Sequence, residues 1–412
     1  MTTESLGVPG SASSGAVDYR IEFLTQADLA GAPDVEAAWR TLAARNDHLT
    51  AVFQTPEYWE FHVARQPTHT YLVGVVYGPG RQVAGVLPTI IRPSPLVMDA
   101  AGRHLGTFRL RSAQMLGGPL LMPQDEGLYA SVVERLMGSR PDIDAVFLNY
   151  VRPDDPVWKF VTDANGKIRR NWIVHFPEGA RELHTIALSG DFDAYLRKFS
   201  GKTRSTLKRK LRQMKERSNG ALELLRVDRE DQVQDFLARA EGVSRHSWQF
   251  RQHGTQVFTT PVEVAAFKLL AKRGLLRSYL LRSGESDCAF CIGWQHNGVF
   301  HYVRPAFDER FADLSPGTIL LYLMIEDLCR HHPVKRFNFF QNPNPYKRQF
   351  GTDFGYDAAV LICRKTLPNR ARIATHAGLR GLIRRAKDLL RKPRDREWWE
   401  AALTVHTVDE PK

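Results

Sequence analysis

The sequence predicts an α/β protein built from two units of related design, each a mixed, mostly antiparallel sheet flanked by helices. Three observations carry this. The 412 residues exceed what one hydrophobic core usually organises, so two units are the natural division. Helix-like and strand-like stretches follow one another in a similar order in the two halves. Hairpin-type turn signals, Pro79-Gly80 and Asn297-Gly298, separate neighbouring strand-like runs.

The elements follow in order. Residues 1–18 are rich in Ser, Gly and Thr and read as a disordered leader. The first unit is expected over 19–183. "DVEAAWRTLAARN" carries helical apolar spacing, and Thr55 and Pro56 open a second helix in "TPEYWEFHVARQ". "TYLVGVVYG", "QVAGVLPTII" and "GTFRLRSAQM" read as strands, "EGLYASVVERLMGS" as a helix closed by Gly138, and "DAVFLNYV" as a strand. The second unit is expected over 184–367. It begins with a very basic helical stretch, "FDAYLRKFSGKTRSTLKRKLRQMKERSNG", followed by two more helices. "LRSYLLRSG", "DCAFCIGWQHNG" and "VFHYVRPAF" form a meander. After it come the helix "SPGTILLYLMIEDLCRHH", the strand "RFNFFQ", the short helix "PYKRQFG" and a last strand, "AAVLICRKT". The remainder, 368–412, holds a basic helix over about 368–394. Its apolar stripe is Leu379, Leu382, Ile383, Ala386, Leu389 and Leu390.

Composition narrows the function classes. Lys and Arg number 57 against 45 Asp and Glu, a formal net charge of +12. Such a surplus favours an anionic partner: a phosphate-bearing cofactor, nucleic acid or an anionic membrane surface. Four cysteines are too few for a disulfide framework and point to a reducing compartment. No apolar run reaches the roughly 18–20 residues that span a bilayer. The first residues lack the basic start and apolar stretch of a signal peptide. The expectation is a cytoplasmic protein, with the basic tail available for peripheral contact at the inner membrane face.

Four constellations bear on chemistry. In "DLSPGTILLYLMI", Ser315 stands where an N-cap belongs, Pro316 at the first helical position, and Gly317 opens room beside Thr318. A helix start of this kind binds anions, or is simply a capped core helix. In "KTRSTLKRKLRQMKER", Arg204, Lys208 and Arg212 recur every four residues on one face. They repel unless an anion sits between them, or they form a solvated basic face. "SGKT" at 200–203 lacks the first glycine of a phosphate-binding loop, because position 196 is Leu. Cys288 and Cys291 have no second Cys pair for zinc and read as core residues on opposite strand faces; no metal is expected. In "FNFFQNPNPYKRQFG", Tyr346 follows a buried strand and lies beside Lys347. A neutral, aimed phenol can serve as a general acid, with Lys347 lowering its pKa or binding a phosphate. The plainer reading is a packed ring and a solvated ammonium.

The ordered set "RSTLKRKLRQM", "SRHSW", "HYVRPAFDERFADLSPGTILLYLMIEDL" and "FNFFQNPNPYKRQFG" resembles the acetyltransferase-like domain of cellulose and exopolysaccharide biosynthesis proteins. That family belongs to the GNAT superfamily and is similar in its paired-domain form to the Fem-type peptidoglycan aminoacyltransferases. The resemblance covers Phe192 to about Lys365. "TPEYW" and "GVLPTII" extend it more weakly into the first half.

The resemblance implies two tandem GNAT-like domains. It also implies an acyltransferase moving an acyl group from acetyl-CoA or another acyl-CoA to an amine or hydroxyl. The acceptor class it suggests is a small molecule or an envelope or exopolysaccharide precursor. It places the donor pyrophosphate at Ser315, Pro316, Gly317 and Thr318, with Lys347 nearby. The thioester would lie between two splayed strands within reach of Tyr346. Asp308, just after the first of these strands, is the leading candidate base and His246 the second. Arg204, Lys208, Arg212 and Trp248 are assigned to anion and substrate binding. Asn338 stands where the family often has Asp and cannot act as a base. The alternatives are a Fem-like enzyme using charged tRNA, for which the basic helices suit an RNA backbone, and a non-catalytic, membrane-associated partner of a polysaccharide synthase.

Overall fold

The computed structural model describes residues 18–390 apart from 101–102, 119, 332–333 and 342–343. The expected leader, the tail beyond residue 390, His332 and the side chains of Ala386, Leu389 and Leu390 lie outside the described residues. Thirteen strands among the described residues form one sheet. The first half supplies β1 (Arg20–Thr25), β2 (Thr70–Tyr77), β3 (Val83–Ala100), β4 (Arg103–Met115), β5 (Ala145–Val151) and β6 (Trp172–His175). Next come β7 (Ala180–Ala187), β8 (Leu222–Val227), β9 (Ser278–Ser283) and β10 (Ser286–His296). β11 (Val299–Phe307), β12 (Arg336–Asn338) and β13 (Asp353–Arg364) complete it. The order is β1-β2-β3-β4-β5-β13-β7-β12-β11-β10-β9-β8, with β6 also on β13.

The expected kinship of the halves is visible in the ladders. Neighbours are antiparallel except β4–β5 and β11–β12, which are parallel. Each parallel pair is bridged by one helix, Glu126–Ser139 in the first half and Pro316–Arg330 in the second. A parallel pair needs such a crossover. β13 lies between β5 and β7, so a strand from the second half joins the sheet of the first. It is held there by Asp357, whose carboxylate accepts from Arg181 at 2.7 Å and from the Gln341 side chain.

Local chemistry fixes the element ends. The Thr55 hydroxyl accepts the Tyr58 N–H and Asp125 accepts the Leu128 N–H. At the β10–β11 turn, Asn297 and Gly298 both have positive φ, 45° and 74°, the pairing that suits a tight hairpin. The basic stretch expected as one helix is two, Phe192–Leu196 and Gly201–Arg217. The second starts anew at Ser200, whose hydroxyl accepts the Thr203 N–H. Cys288 and Cys291 are buried as expected but belong to the same core cluster. The β9–β10 register slips between Asp287 and Ala289, and the extra residue removes the alternation. The helix Leu367–Leu390 lies along β3. Ile373 and His376 are buried, and Arg380 donates to the Pro177 and Glu178 carbonyls. Leu382 of its expected stripe is exposed.

One core joins the halves. Trp39, Phe53, Trp59 and Phe61 pack with Phe236, Phe267 and Trp294. Phe61, 2% exposed, meets Phe267 at 5.6 Å and Trp294 at 5.7 Å between ring centroids. Phe61→Ala is therefore expected to cost about 3–5 kcal/mol, and both halves should unfold in the same transition. Urea denaturation followed by fluorescence and by far-UV circular dichroism checks this; two separated transitions would contradict a shared core.

Candidate active site

β11 and β12 pair over only three residues: Val299 with Arg336, Phe300 with Phe337, His301 with Asn338. β11 then continues alone on that side to Phe307, while β12 stops. The apolar run "RFNFFQ" predicts a longer strand; Asn338 ends it. Its side-chain oxygen accepts the Phe340 N–H at 2.9 Å, a local turn that competes with the ladder. Phe340 adopts φ 55°, and Phe339 N–H turns to the His184 carbonyl. The two strands consequently splay. On the other side of β11 the ladder to β10 skips Val303, since Gly293 pairs with Tyr302 and Ile292 with Arg304. The sheet therefore opens at its centre, leaving one edge of β11 without a strand partner among the described residues.

The helix Pro316–Arg330 follows β11 through the 3₁₀ turn Glu309–Leu314. Ser315 differs from expectation. It sits in the left-handed region (φ 54°, ψ 50°) and its side chain makes no cap hydrogen bond. Its carbonyl instead accepts from Thr318 and Ile319, at 3.0 and 3.2 Å. Pro316 has no N–H, and the Gly317 N–H has no acceptor among the described residues. Gly317 also allows close packing: a Cβ there would lie 3.2 Å from the Phe307 ring. The helix start thus offers a free donor, the Thr318 side chain and the positive end of the dipole to an anion.

Tyr346 lies on the helix Pro345–Phe350, capped by Asn344. Its ring packs edge-on against Tyr302 of β11 at 6.4 Å and Phe339, just past β12, at 6.0 Å. It thus touches a residue from each side of the splay. Burial, with a contribution from the Cys291 thiol, pushes the phenol above its ordinary pKa. Lys347 does not lower it, contrary to expectation, and is not solvated. Lys347 is 8% exposed, donates to the Gln341 carbonyl at 2.6 Å, and is lowered by burial to about 8. The ammonium braces the chain where it leaves β12.

Asp308 and His246 come together at the outer end of β11, with Nδ1 of His246 3.8 Å from the carboxylate. Asp308 is buried, and Arg310 donates to it from its backbone N–H, Nε and Nη2. Burial pushes this carboxyl up, but the hydrogen bonds and charge of Arg310, aided by His246, outweigh it and leave it below the ordinary range. No hydrogen bond or ring contact among the described residues links either group to Tyr346. Trp248 opens the helix Trp248–His253 and is partly exposed. Arg204, Lys208 and Arg212, with Arg209, line a groove of about 600 Å³ along the helix Gly201–Arg217. Arg204 also donates to the Phe199 carbonyl, and Arg212 faces Glu216 at 3.7 Å.

Sequence reasoning missed His301. It is 1% exposed at the point where the strands part, stacked on Phe340 at 5.6 Å, with Nδ1 lacking a partner among the described residues. Burial lowers it to about 3, so the imidazole is neutral. A lone His inside the strand run "VFHYV" was the available signal.

Comparison with known proteins agrees with this geometry. Residues 201–348 match the family model described as acetyltransferase (GNAT) domain. No curated protein gives a significant match. The crystal structure of FemX superposes with a TM-score of 0.56 at 10% identity, covering 82% of this chain and 98% of that one. More loosely similar are two further structures. One is a tandem GNAT protein from the clavulanic acid biosynthesis pathway (TM-score 0.46, 12% identity, 84% and 98% covered). The other is the C-terminal domain of a putative lysylphosphatidylglycerol synthetase from Agrobacterium fabrum (0.48, 14%, 84% and 96%). The chain thus shares the α/β fold of FemX, and its splayed strands, helix start and Tyr346 all fall within the stretch that matches the acetyltransferase domain.

Proposed function

We propose that the protein transfers an acyl group from acyl-CoA to an amine or hydroxyl, on a small molecule or an envelope or exopolysaccharide precursor. The observation that carries this is the splay of β11 and β12, with an anion-ready helix start following β11 and a protonated phenol packed on Tyr302 of β11 and on Phe339 just past β12. An acyl-CoA would supply the thioester, whose carbonyl carbon the acceptor attacks while the C–S bond breaks. Gly317 N–H, Thr318 and the helix dipole would hold the pyrophosphate. The unpaired edge of β11 would order an extended amide-bearing chain by strand-like hydrogen bonds.

Tyr346 faces the leaving sulfur in this reading. The thiol formed has a pKa of roughly 8.5, well below that of the buried phenol. Tyr346 therefore donates a hydrogen bond to the developing thiolate rather than passing its proton outright. Such a bond to a charged group is worth about 1.5–3 kcal/mol. The proton lost by the acceptor is assigned to Nε2 of His246, because Asp308 is engaged by Arg310 and Nδ1 of His246 is held by the Gly242 carbonyl at 3.1 Å. A second reading, transfer from a charged tRNA, draws on the basic groove of Arg204, Lys208 and Arg212, which suits a phosphate backbone.

Calorimetric titration with CoA tests the donor site. Thr318→Glu introduces a carboxylate where the phosphate would bind yet suits a first helical turn. CoA affinity should fall tenfold or more with the melting temperature unchanged; equal affinity would sink the assignment. Tyr346→Phe should lower turnover, read as free thiol released, by roughly tenfold to a hundredfold with CoA affinity intact. Full turnover in that variant leaves the ring a packing role only, and turnover that requires aminoacyl-tRNA in place of acyl-CoA establishes the second reading.

A further inference from the structure

The open edge of β11 is not bare along its whole length. Asp308 donates its N–H to the Cys288 carbonyl at 2.9 Å, and in the same ladder Ala306 lies opposite Phe290 and Pro305 opposite Cys291. Main-chain groups of an antiparallel strand point to its two edges in alternation. Those of Asp308 and Ala306 therefore face β10, and those of Pro305 and Phe307 face the edge from which β12 departs. Pro305 has no N–H, so its carbonyl is the only main-chain group it offers there. That carbonyl accepts the side-chain N–H of Gln249 at 3.2 Å. A side-chain amide thus stands beside β11 where a longer β12 would have placed a peptide group.

The helix that carries Gln249, Trp248–His253, is fixed in place. The Ser247 hydroxyl accepts the Phe250 N–H at its start. The His246 carbonyl accepts the Glu309 N–H at 3.1 Å, and Arg251 donates to the Glu309 carboxylate at 3.0 Å. The helix is therefore tied to β11 at Pro305 and to the turn that follows β11 at Glu309. The end of the Gln249 amide that meets a carbonyl must be its NH₂ group, which leaves Oε1 on the other side. Oε1 is buried and has no hydrogen-bond partner among the described residues. A buried carbonyl oxygen without a donor is costly, and this one lies an amide's width from the open edge. The donor it lacks has a natural source. The anion-ready helix start follows the end of β11, and Tyr346 packs on Tyr302. An extended chain running from one to the other passes Phe307 and then Pro305, where the strand's own carbonyl is already taken and Oε1 is the acceptor on offer.

We infer that Gln249 is a positioning residue of the donor site: its Oε1 accepts an amide N–H of the acyl-CoA arm while its NH₂ group stays on the Pro305 carbonyl. This rests on the acyl-CoA reading above and adds to it a residue outside β11 and β12. The side chain replaces the rung that a proline cannot supply and holds the arm in register with the open edge.

The test titrates the full chain calorimetrically with CoA and with 3′-phospho-ADP, the nucleotide of CoA without its arm. Gln249→Met keeps the length of the side chain and removes both polar atoms. In that variant CoA affinity should fall about fivefold to thirtyfold, with 3′-phospho-ADP affinity unchanged. The ligand-free melting temperature should be equal or higher, because an unsatisfied buried oxygen is gone. Equal CoA affinity in the variant overturns the inference. A lower melting temperature with both ligands weakened also overturns it, since Gln249 would then only tie its helix to β11. Unchanged CoA affinity with a raised KM for the acceptor assigns Oε1 to the acceptor and overturns it as well. A wild type that binds 3′-phospho-ADP as tightly as CoA leaves the arm without a bound partner and overturns the inference alone, whereas a wild type that binds neither overturns the acyl-CoA reading and this inference with it.

Discussion

The hydrogen bond from the Phe340 N–H to the side chain of Asn338 decides the architecture of the site. An apolar strand running on to Gln341 would zip against β11 and close the sheet. The amide offers the backbone a competing partner one step early, and the left-handed Phe340 carries the chain out of the plane. Such a conformation costs of order 1–3 kcal/mol. The surroundings offset it: Lys347 grips the Gln341 carbonyl, Phe339 turns to His184, and the Phe340 ring is stacked among Phe53, Tyr150 and His301. Asn338 is neutral, and its contribution is geometric.

That opening has different surroundings on the two sheet faces. On one, the helix Pro316–Arg330 is buried along Ile319, Leu320, Met324 and Ile325, so its start is rigid. On the other, helices of both halves pack into one core, and first-half residues line the approach. The first half therefore contributes Phe53 and Tyr150 on that face, while β11 contributes His301.

Much of the fold was legible in the sequence because its signals are local. Asn297-Gly298 turns a hairpin through backbone freedom, and Thr55 caps a helix with its own side chain; the cap at Ser200 was equally local and was passed over in a continuous basic run. What escaped depends on tertiary context. Apolar periodicity does not register that Asn338 outbids a ladder, nor that one extra residue at Cys288 sets two cysteines on one face. Ser315 has the composition of a cap, yet it ends the 3₁₀ turn in the left-handed region and its carbonyl, not its side chain, receives the bonds. Lys347 beside a phenol reads as a surface charge until the turn it braces is known.

The insertion of β13 between β5 and β7 has a consequence for biosynthesis. β13 is the last described strand to leave the ribosome. Until it arrives, β5 has an unpaired edge on one side, and β7 and β12 have no neighbour linking them to the first half. The first half can collapse early on its own hairpins, but its open edge is a hazard for pairing between nascent chains. Closure of the sheet, burial of Asp357 on Arg181 and bracing of the Gln341 turn all wait for the same late segment. Assembly of the candidate site is thereby tied to the synthesis of β13.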